Sequence, residues 1–302
     1  MESSRVWTPD KLFAFPECAK QAEELAQAVG IDHEIISVHK FPDGESRIRV
    51  TKCTRKAAIY RSLHHPNEKI VEVLFAASAL RDGGAMEIGL IAPYLPYMRQ
   101  DIAFQTGEAV SQQVIGQLLA QHFDRFMSVD PHLHRTPRLG TVFQGKPTAC
   151  ITAAGAIAQN IIAHQAHYGA VIVGPDEESE PLVLALAVPL NAPWTLATKT
   201  RQGDRKVSMN LRDAKTLSGR AAIIIDDVIS SGTTIVTLAQ LLKDAGAISI
   251  DVYTTHALFN DDAHKAMTRA GVRRIVSSDS IPHFTNDISL ARTLAEGFKQ
   301  WL

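Results

Sequence analysis

The sequence predicts an α/β protein built as two doubly wound parallel-sheet halves, and three observations carry that reading. Short apolar runs such as residues 86–92 and 221–225 recur along the chain, each with the length and β-branched content of a strand buried on both faces. Stretches of helical periodicity separate these runs, so strands and helices alternate from one end to the other. Asp, Ser, Thr and His cluster just after the runs, at the carboxyl ends of strands where open α/β sheets bind ligands.

In the first half, strands are expected at 12–15, 35–39, 57–60, 86–92 and 126–130. Helices are expected at 17–29, closed by Gly30, at 67–81 and at 111–121. The second of these places Ile70, Val73, Leu74, Ala77 and Leu80 on one face before Asp82-Gly83-Gly84 stops it. The second half repeats the rhythm with strands at 169–173, 194–199, 221–225, 249–254 and 274–277. Its helices fall at 153–166, 182–188, 235–245, 263–270 and 289–301, and a polar segment, 200–206, comes after one strand. Gly, Pro and Thr interrupt the pattern between Gly140 and Ala153, which divides the chain into domains 1–146 and 147–302.

The 302 residues suit two domains of about 150 each. A net charge of -1, from 31 basic and 32 acidic residues, argues against nucleic acid or a membrane as an electrostatic partner and leaves small ligands. Cys18, Cys53 and Cys150 form no CxxC or Cys/His cluster, so neither a disulfide framework nor a zinc site is expected. Residues 1–9 lack the basic start and apolar core of a signal peptide, and the longest apolar run, 181–190, is too short to cross a bilayer. A soluble, cytoplasmic protein is the expectation.

The most informative stretch is the strand 221–225 together with the polar turn after it. Asp226 and Asp227 accept hydrogen bonds, which suits the vicinal hydroxyls of a ribose. Ser230, Ser231, Gly232, Thr233 and Thr234 then offer hydroxyls and backbone N–H groups at a helix start, which suits its phosphate. No Lys comes after the glycine, so this is not a Walker loop. The plain alternative is a strand, a polar turn and a capped helix with two solvated acids. The whole pattern nevertheless resembles the phosphoribosyl-binding signature of the type I phosphoribosyltransferase fold.

Four further loops stand directly after strands: Phe41-Pro-Asp43-Gly44-Glu45, the 93–101 loop with Arg99-Gln100-Asp101, Asp130-Pro131-His132, and the loop opened by Asp176. With these and the Lys199-x-Arg201 segment, the chain resembles the ribose-phosphate pyrophosphokinase family over nearly its whole length. The resemblance implies transfer of the β,γ-diphosphoryl group of Mg-ATP to the C1 hydroxyl of ribose 5-phosphate, with release of AMP. It implies Phe41, Asp43, Glu45, Arg99 and Gln100 as ATP-binding residues, His132 and Asp176 as Mg²⁺ contacts, and Lys199 and Arg201 as catalytic cations. His134 has no counterpart and reads as structural, and Arg205 and Lys206 read as a basic surface. A homo-oligomer, at least a dimer, is also implied, because in the family an active site draws its Phe-loop from a neighbouring subunit.

The chain departs from the family after Asp176, where Glu177-Glu178-Ser179 stands in place of Ala-Gly-Gly. Two carboxylates there repel diphosphate unless a cation intervenes or the side chains turn away. Ile102-Ala103-Phe104 also replaces residues that are often basic, and Ser230-Ser231 and Thr233 replace the more usual Asp-Thr and Gly. The alternative reading is therefore a catalytically silent regulatory or binding paralogue. A phosphoribosyltransferase acting on a base is weaker, because it leaves the Phe41, Arg99 and Lys199 motifs without a purpose.

Overall fold

A computed structural model describes residues 6–133, 135–164, 169–202 and 206–301, and of 199–202 and 206–208 it describes the backbone alone. The contacts divide the chain into two units: residues up to Thr152 together with those from Leu290 onward, and Ala153–Ser289.

The first unit begins with β1 (Lys11–Ala14), α1 (Ala19–Val29) and β2 (Asp32–Ile35). A separate antiparallel hairpin comes next, β3 (Ser37–Lys40) and β4 (Ser46–Arg49). Then come β5 (Lys56–Tyr60), α2 (Pro66–Asp82), β6 (Glu87–Ile91), α3 (Ser111–His122), β7 (Arg125–Val129), α4 (Leu139–Val142) and β8 (Thr148–Ile151). Six of these strands form a wholly parallel sheet in the order β2-β1-β5-β6-β7-β8. Apolar faces such as Val73, Ala77 and Leu80 of α2 close over Ile59, Ile88 and Leu90, as strands covered on both faces require.

The second unit holds α5 (Ala154–Ala163), β9 (Val171–Gly174), α6 (Glu180–Leu190), β10 (Trp194–Gln202), β11 (Lys206–Leu211) and β12 (Ala221–Ile229). It continues with α7 (Thr233–Asp244), β13 (Ser249–Ala257), α8 (Asp261–Arg269), β14 (Arg274–Ser278) and β15 (Asn286–Ile288). Its sheet runs β11-β10-β9-β12-β13-β14-β15, parallel except where β11 pairs antiparallel with β10. Val171, Val173, Ile224, Val252, Leu238 and Leu242 lie in its core.

Four expectations need correction. The division at 146/147 put β8 in the second domain, yet β8 pairs with β7 in the first sheet. The helix expected at 289–301 shortens to α9 (Ala291–Gly297) and one turn of 3-10 helix, and it packs on the first unit. Trp301 explains the return: its Nε1 donates to the Phe126 carbonyl at 2.7 Å, and its ring so crowds Gly89 of β6 that a Cβ there would lie 2.8 Å away. The 35–39 strand is two strands parted at Ile36, whose N–H bonds Ala14 of β1. Finally, the described part of the polar 200–206 segment is strand rather than open loop: Thr200, Arg201 and Gln202 of β10 pair with Ser208, Val207 and Lys206 of β11.

No helix among the described residues is long and apolar enough to cross a membrane, and Cys18, Cys53 and Cys150 are free thiols.

Candidate active site

In the second unit the chain leaves β9 for β10 on one side and returns to β12 on the other, which makes the β9–β12 gap the switch point of the sheet. Ligands of open α/β sheets bind beyond the carboxyl ends of the strands at such a point. Asp176 stands two residues past Gly174, the end of β9. Asp226 and Asp227 stand in β12, just beyond its last pairing with β9, Ile224↔Val173. Both acids are inside the strand rather than in the turn that the sequence suggested, because β12 keeps pairing with β13 as far as Ile229↔Ala257. The Asp227 carbonyl accepts from buried Thr254 Oγ1 at 3.4 Å, and Asp226 pairs with Thr254 in register.

Asp226 is densely surrounded by protein. Burial is the largest cause raising its carboxyl well above the usual carboxylate range, with the charges of Asp227 and Asp176 next and then a hydrogen bond with the Asp227 side chain. A carboxylate crowded by two others is a group prepared to receive a cation or hydroxyl donors.

The loop expected to hold the phosphate stands at the end of the same strand. Gly232 precedes α7 with φ 72, and a Cβ there would lie 3.2 Å from Met267 Sδ, so both its backbone and its surroundings favour glycine. Val236 N–H makes the first internal bond of the helix, to the Gly232 carbonyl at 2.9 Å. The amides of Thr233, Thr234 and Ile235 precede it at the positive end of the helix. Ser230, Ser231 and Thr233 are exposed, and the Ser231 and Thr233 hydroxyls lie 3.1 Å apart, close enough to contact one phosphate.

The acidic loop is arranged so as to relieve the repulsion that its sequence implies. Ser179 turns inward, donating to the Asp176 carbonyl at 2.6 Å. Glu177 accepts from Arg212 Nη2 at 2.8 Å, and Arg212 Nη1 lies 3.9 Å from Glu180. Arg212, just after β11, is a site-shaping residue that the sequence did not reveal; only its place 35 residues on links it to the loop. Lys199 and Arg201 lie in the outer half of β10, opposite Met209 and Val207 of β11, and only their backbone is described.

The first unit carries the remaining expected residues. Phe41, 38% exposed, sits at the tip of the β3–β4 hairpin with its ring edge-on to His39. Asp43 Oδ1 accepts from the Glu45 amide at 3.1 Å, so this carboxylate holds the turn. Arg99 is exposed, whereas Gln100 accepts from the Ser111 hydroxyl at the start of α3. Asp101, missed as a structural residue, accepts from Arg135 Nη1 at 2.8 Å and from its amide at 3.1 Å, which outweighs burial and holds its carboxyl below the usual range. His132 is half-buried and comes two residues after Asp130, which turns the chain out of β7 with φ 36. His134 and Arg205 lie outside the described residues.

Among the described residues no three His, Cys, Asp or Glu gather closely enough to chelate a metal ion. The crowded Asp226, Asp227 and Asp176 carboxyls still fit Mg²⁺, which prefers oxygen and is usually held by one or two carboxylates together with substrate phosphates.

Known proteins resemble the chain along both units. The "N-terminal domain of ribose phosphate pyrophosphokinase" matches residues 11–122, and the "Phosphoribosyl synthetase-associated domain" matches residues 194–293. The chain is 31% identical over 287 residues to a ribose-phosphate pyrophosphokinase of Methanobrevibacter smithii, covering 91% of this chain and 95% of that one. It is 30% identical over 280 residues to one from Pyrococcus abyssi, covering 92% and 95%. The crystal structure of phosphoribosylpyrophosphate synthetase from Mycobacterium smegmatis matches with a TM-score of 0.84 at 26% identity, covering 97% of this chain and 98% of that one. With sequence and fold in agreement along both units, the chain belongs to the ribose-phosphate pyrophosphokinase family.

Proposed function

We propose that this protein transfers the diphosphoryl group of Mg-ATP to ribose 5-phosphate, giving phosphoribosyl diphosphate and AMP. The observation that carries the reading is the pairing, at one strand end, of the Asp226-Asp227 carboxyls with the open amino end of α7. The carboxyls accept from the ribose hydroxyls, and the Thr233, Thr234 and Ile235 amides with the Ser231 and Thr233 hydroxyls hold the 5-phosphate. Held in this way, the sugar presents its C1 hydroxyl for in-line attack on the β-phosphorus of ATP. The new bond joins the C1 oxygen to that phosphorus, the bond from it to the α,β-bridging oxygen breaks, AMP leaves with that oxygen, and the proton of the C1 hydroxyl is lost to solvent.

Charge grows on the bridging and terminal oxygens during this step, so fixed cations are needed rather than a covalent nucleophile. Lys199 and Arg201 are the residues assigned to that task. Mg²⁺, when bound, offsets the charge of the nucleotide's phosphates, and Asp176 and His132 are the assigned contacts. Phe41, Asp43, Glu45, Arg99 and Gln100 are assigned to ATP, and a homo-oligomer is the expected assembly. The Arg212–Glu177 pair supports an active enzyme over a silent paralogue, because it offsets one of the two extra acids beside the diphosphate path.

Phosphorus NMR of the protein with Mg²⁺, ATP and ribose 5-phosphate tests the reading. AMP and phosphoribosyl diphosphate are expected in equal amounts. Intact ATP at every metal and phosphate concentration sinks it.

A further inference from the structure

The tip of the β3–β4 hairpin carries Phe41, Asp43 and Glu45, yet the hairpin belongs to neither large sheet. Its far end is anchored by apolar contact, with the paired Val38 and Ile48 packed on the first unit's core. The tip has no such anchor, because residues 41–45 are all exposed. Something else must decide where the tip stands.

The last pair before the tip is Lys40↔Ser46. Both side chains reach one acceptor, Glu72 Oε1 on α2: Ser46 Oγ donates to it at 2.7 Å, and Lys40 Nζ donates to it as well. Lys40 also bonds Glu68, one helical turn earlier, so the hairpin is tied to two successive turns of α2. Glu72 is itself only 1% exposed. Behind it, Arg61 Nη2 lies 2.6 Å from Oε2, an ionic contact without hydrogen-bond geometry. Burial alone raises the Glu72 carboxyl, but the interactions with Lys40, Ser46 and Arg61 outweigh it and keep the group ionised. Between the tip and α2 lies a cleft of about 660 Å³ lined by Asp43, Glu45, Glu68, Val71 and Phe75.

We infer that Glu72 is a positioning residue for nucleotide binding: by clamping both members of the Lys40↔Ser46 pair to α2, it fixes where the Phe41–Glu45 tip stands. This rests on the reading that the tip contacts ATP. A buried anion backed by a buried cation makes a rigid anchor, whereas the exposed Lys40–Glu68 pair alone contributes little. Small displacements of positioning groups are costly, so loosening this clamp weakens ATP binding without touching the sugar-phosphate cradle.

The test compares Glu72→Gln and Lys40→Met with Phe41→Ala, reading amide hydrogen exchange and the dissociation constants of Mg-ATP and ribose 5-phosphate. Lys40→Met changes a largely exposed side chain and leaves the Arg61–Glu72 pair intact, so it stays folded even if Glu72→Gln does not. Exchange within residues 38–48 should rise about tenfold in both clamp variants while β5 and β6 keep wild-type protection, Mg-ATP should bind about tenfold more weakly, and ribose 5-phosphate should bind as before. Unchanged exchange at 38–48 overturns the clamp. Faster exchange with unchanged ATP binding overturns the positioning role. If Phe41→Ala also leaves ATP binding unchanged, the assignment of the tip to ATP falls with it.

Discussion

The two sheets have corresponding switch points, and their contents are opposite. In the second unit, the crevice beyond β9 and β12 holds crowded carboxylates beside an open helix end. In the first, the gap beyond β1 and β5 is filled by the unit's own charges. The Arg61 guanidinium lies 3.7 Å from the centre of the Phe15 ring and donates through Nε to Glu17 at 2.8 Å, while its other end meets Glu72. Lys69 sits 3.7 Å from Glu17 and donates to the Ser62 carbonyl at 3.1 Å. Burial, with Lys69 next, pushes His64 down to about 4, and burial pushes the nearby Cys18 thiol up to about 11, so neither titrates near neutrality. One topology therefore yields a gap closed by opposite charges and a gap crowded by like ones, and the residues at the strand ends make the difference.

The largest expected effect breaks the first gap. Arg61→Met removes the buried cation beside Glu72 and leaves it only the more exposed Lys40, so urea unfolding should show a loss of about 3–5 kcal/mol, while the folded fraction binds ribose 5-phosphate normally. The next falls on the second unit: Lys199→Ala should lower turnover about 100-fold or more with little change in melting temperature. The crowding of Asp226 by other acids predicts a third, with the opposite sign. Its folded value is raised, so its contribution to stability is full below the unfolded value and is lost as pH rises through the folded one. Asp226→Asn should thus stabilise the protein at pH 7 while impairing function, and the gain should vanish as pH falls to about 4, as thermal melts across pH would register. The smallest effect concerns the exposed Arg212–Glu177 pair, where Glu177→Ala should shift stability by less than about 1 kcal/mol.

Much of this was legible in the sequence where the signal is local. The apolar runs at 86–92 and 221–225 became β6 and β12, and the helix expected at 67–81 is α2 within a residue at each end. The glycine-led start of α7 was readable because Gly232 and its hydroxyl neighbours are contiguous. What stayed hidden depends on distant partners. Polar β12 beyond Ile225 is a strand because β13 pairs with it, and β11 is a strand because β10 does. The C-terminal turn joins the first unit through Trp301 against Trp7 and Phe126. Nothing local in the sequence sets Glu72 apart; its role depends on Lys40, Ser46 and Arg61, which converge on it only in the fold.

Calorimetric titration of ribose 5-phosphate into the wild-type protein, Asp226→Asn and Asp227→Asn tests most directly whether the second crevice is the sugar-phosphate site. Saturable binding to the wild type is expected, with at least about tenfold weaker binding to each variant, the loss that accompanies removal of a charged acceptor. Equal affinity in all three proteins would contradict that assignment.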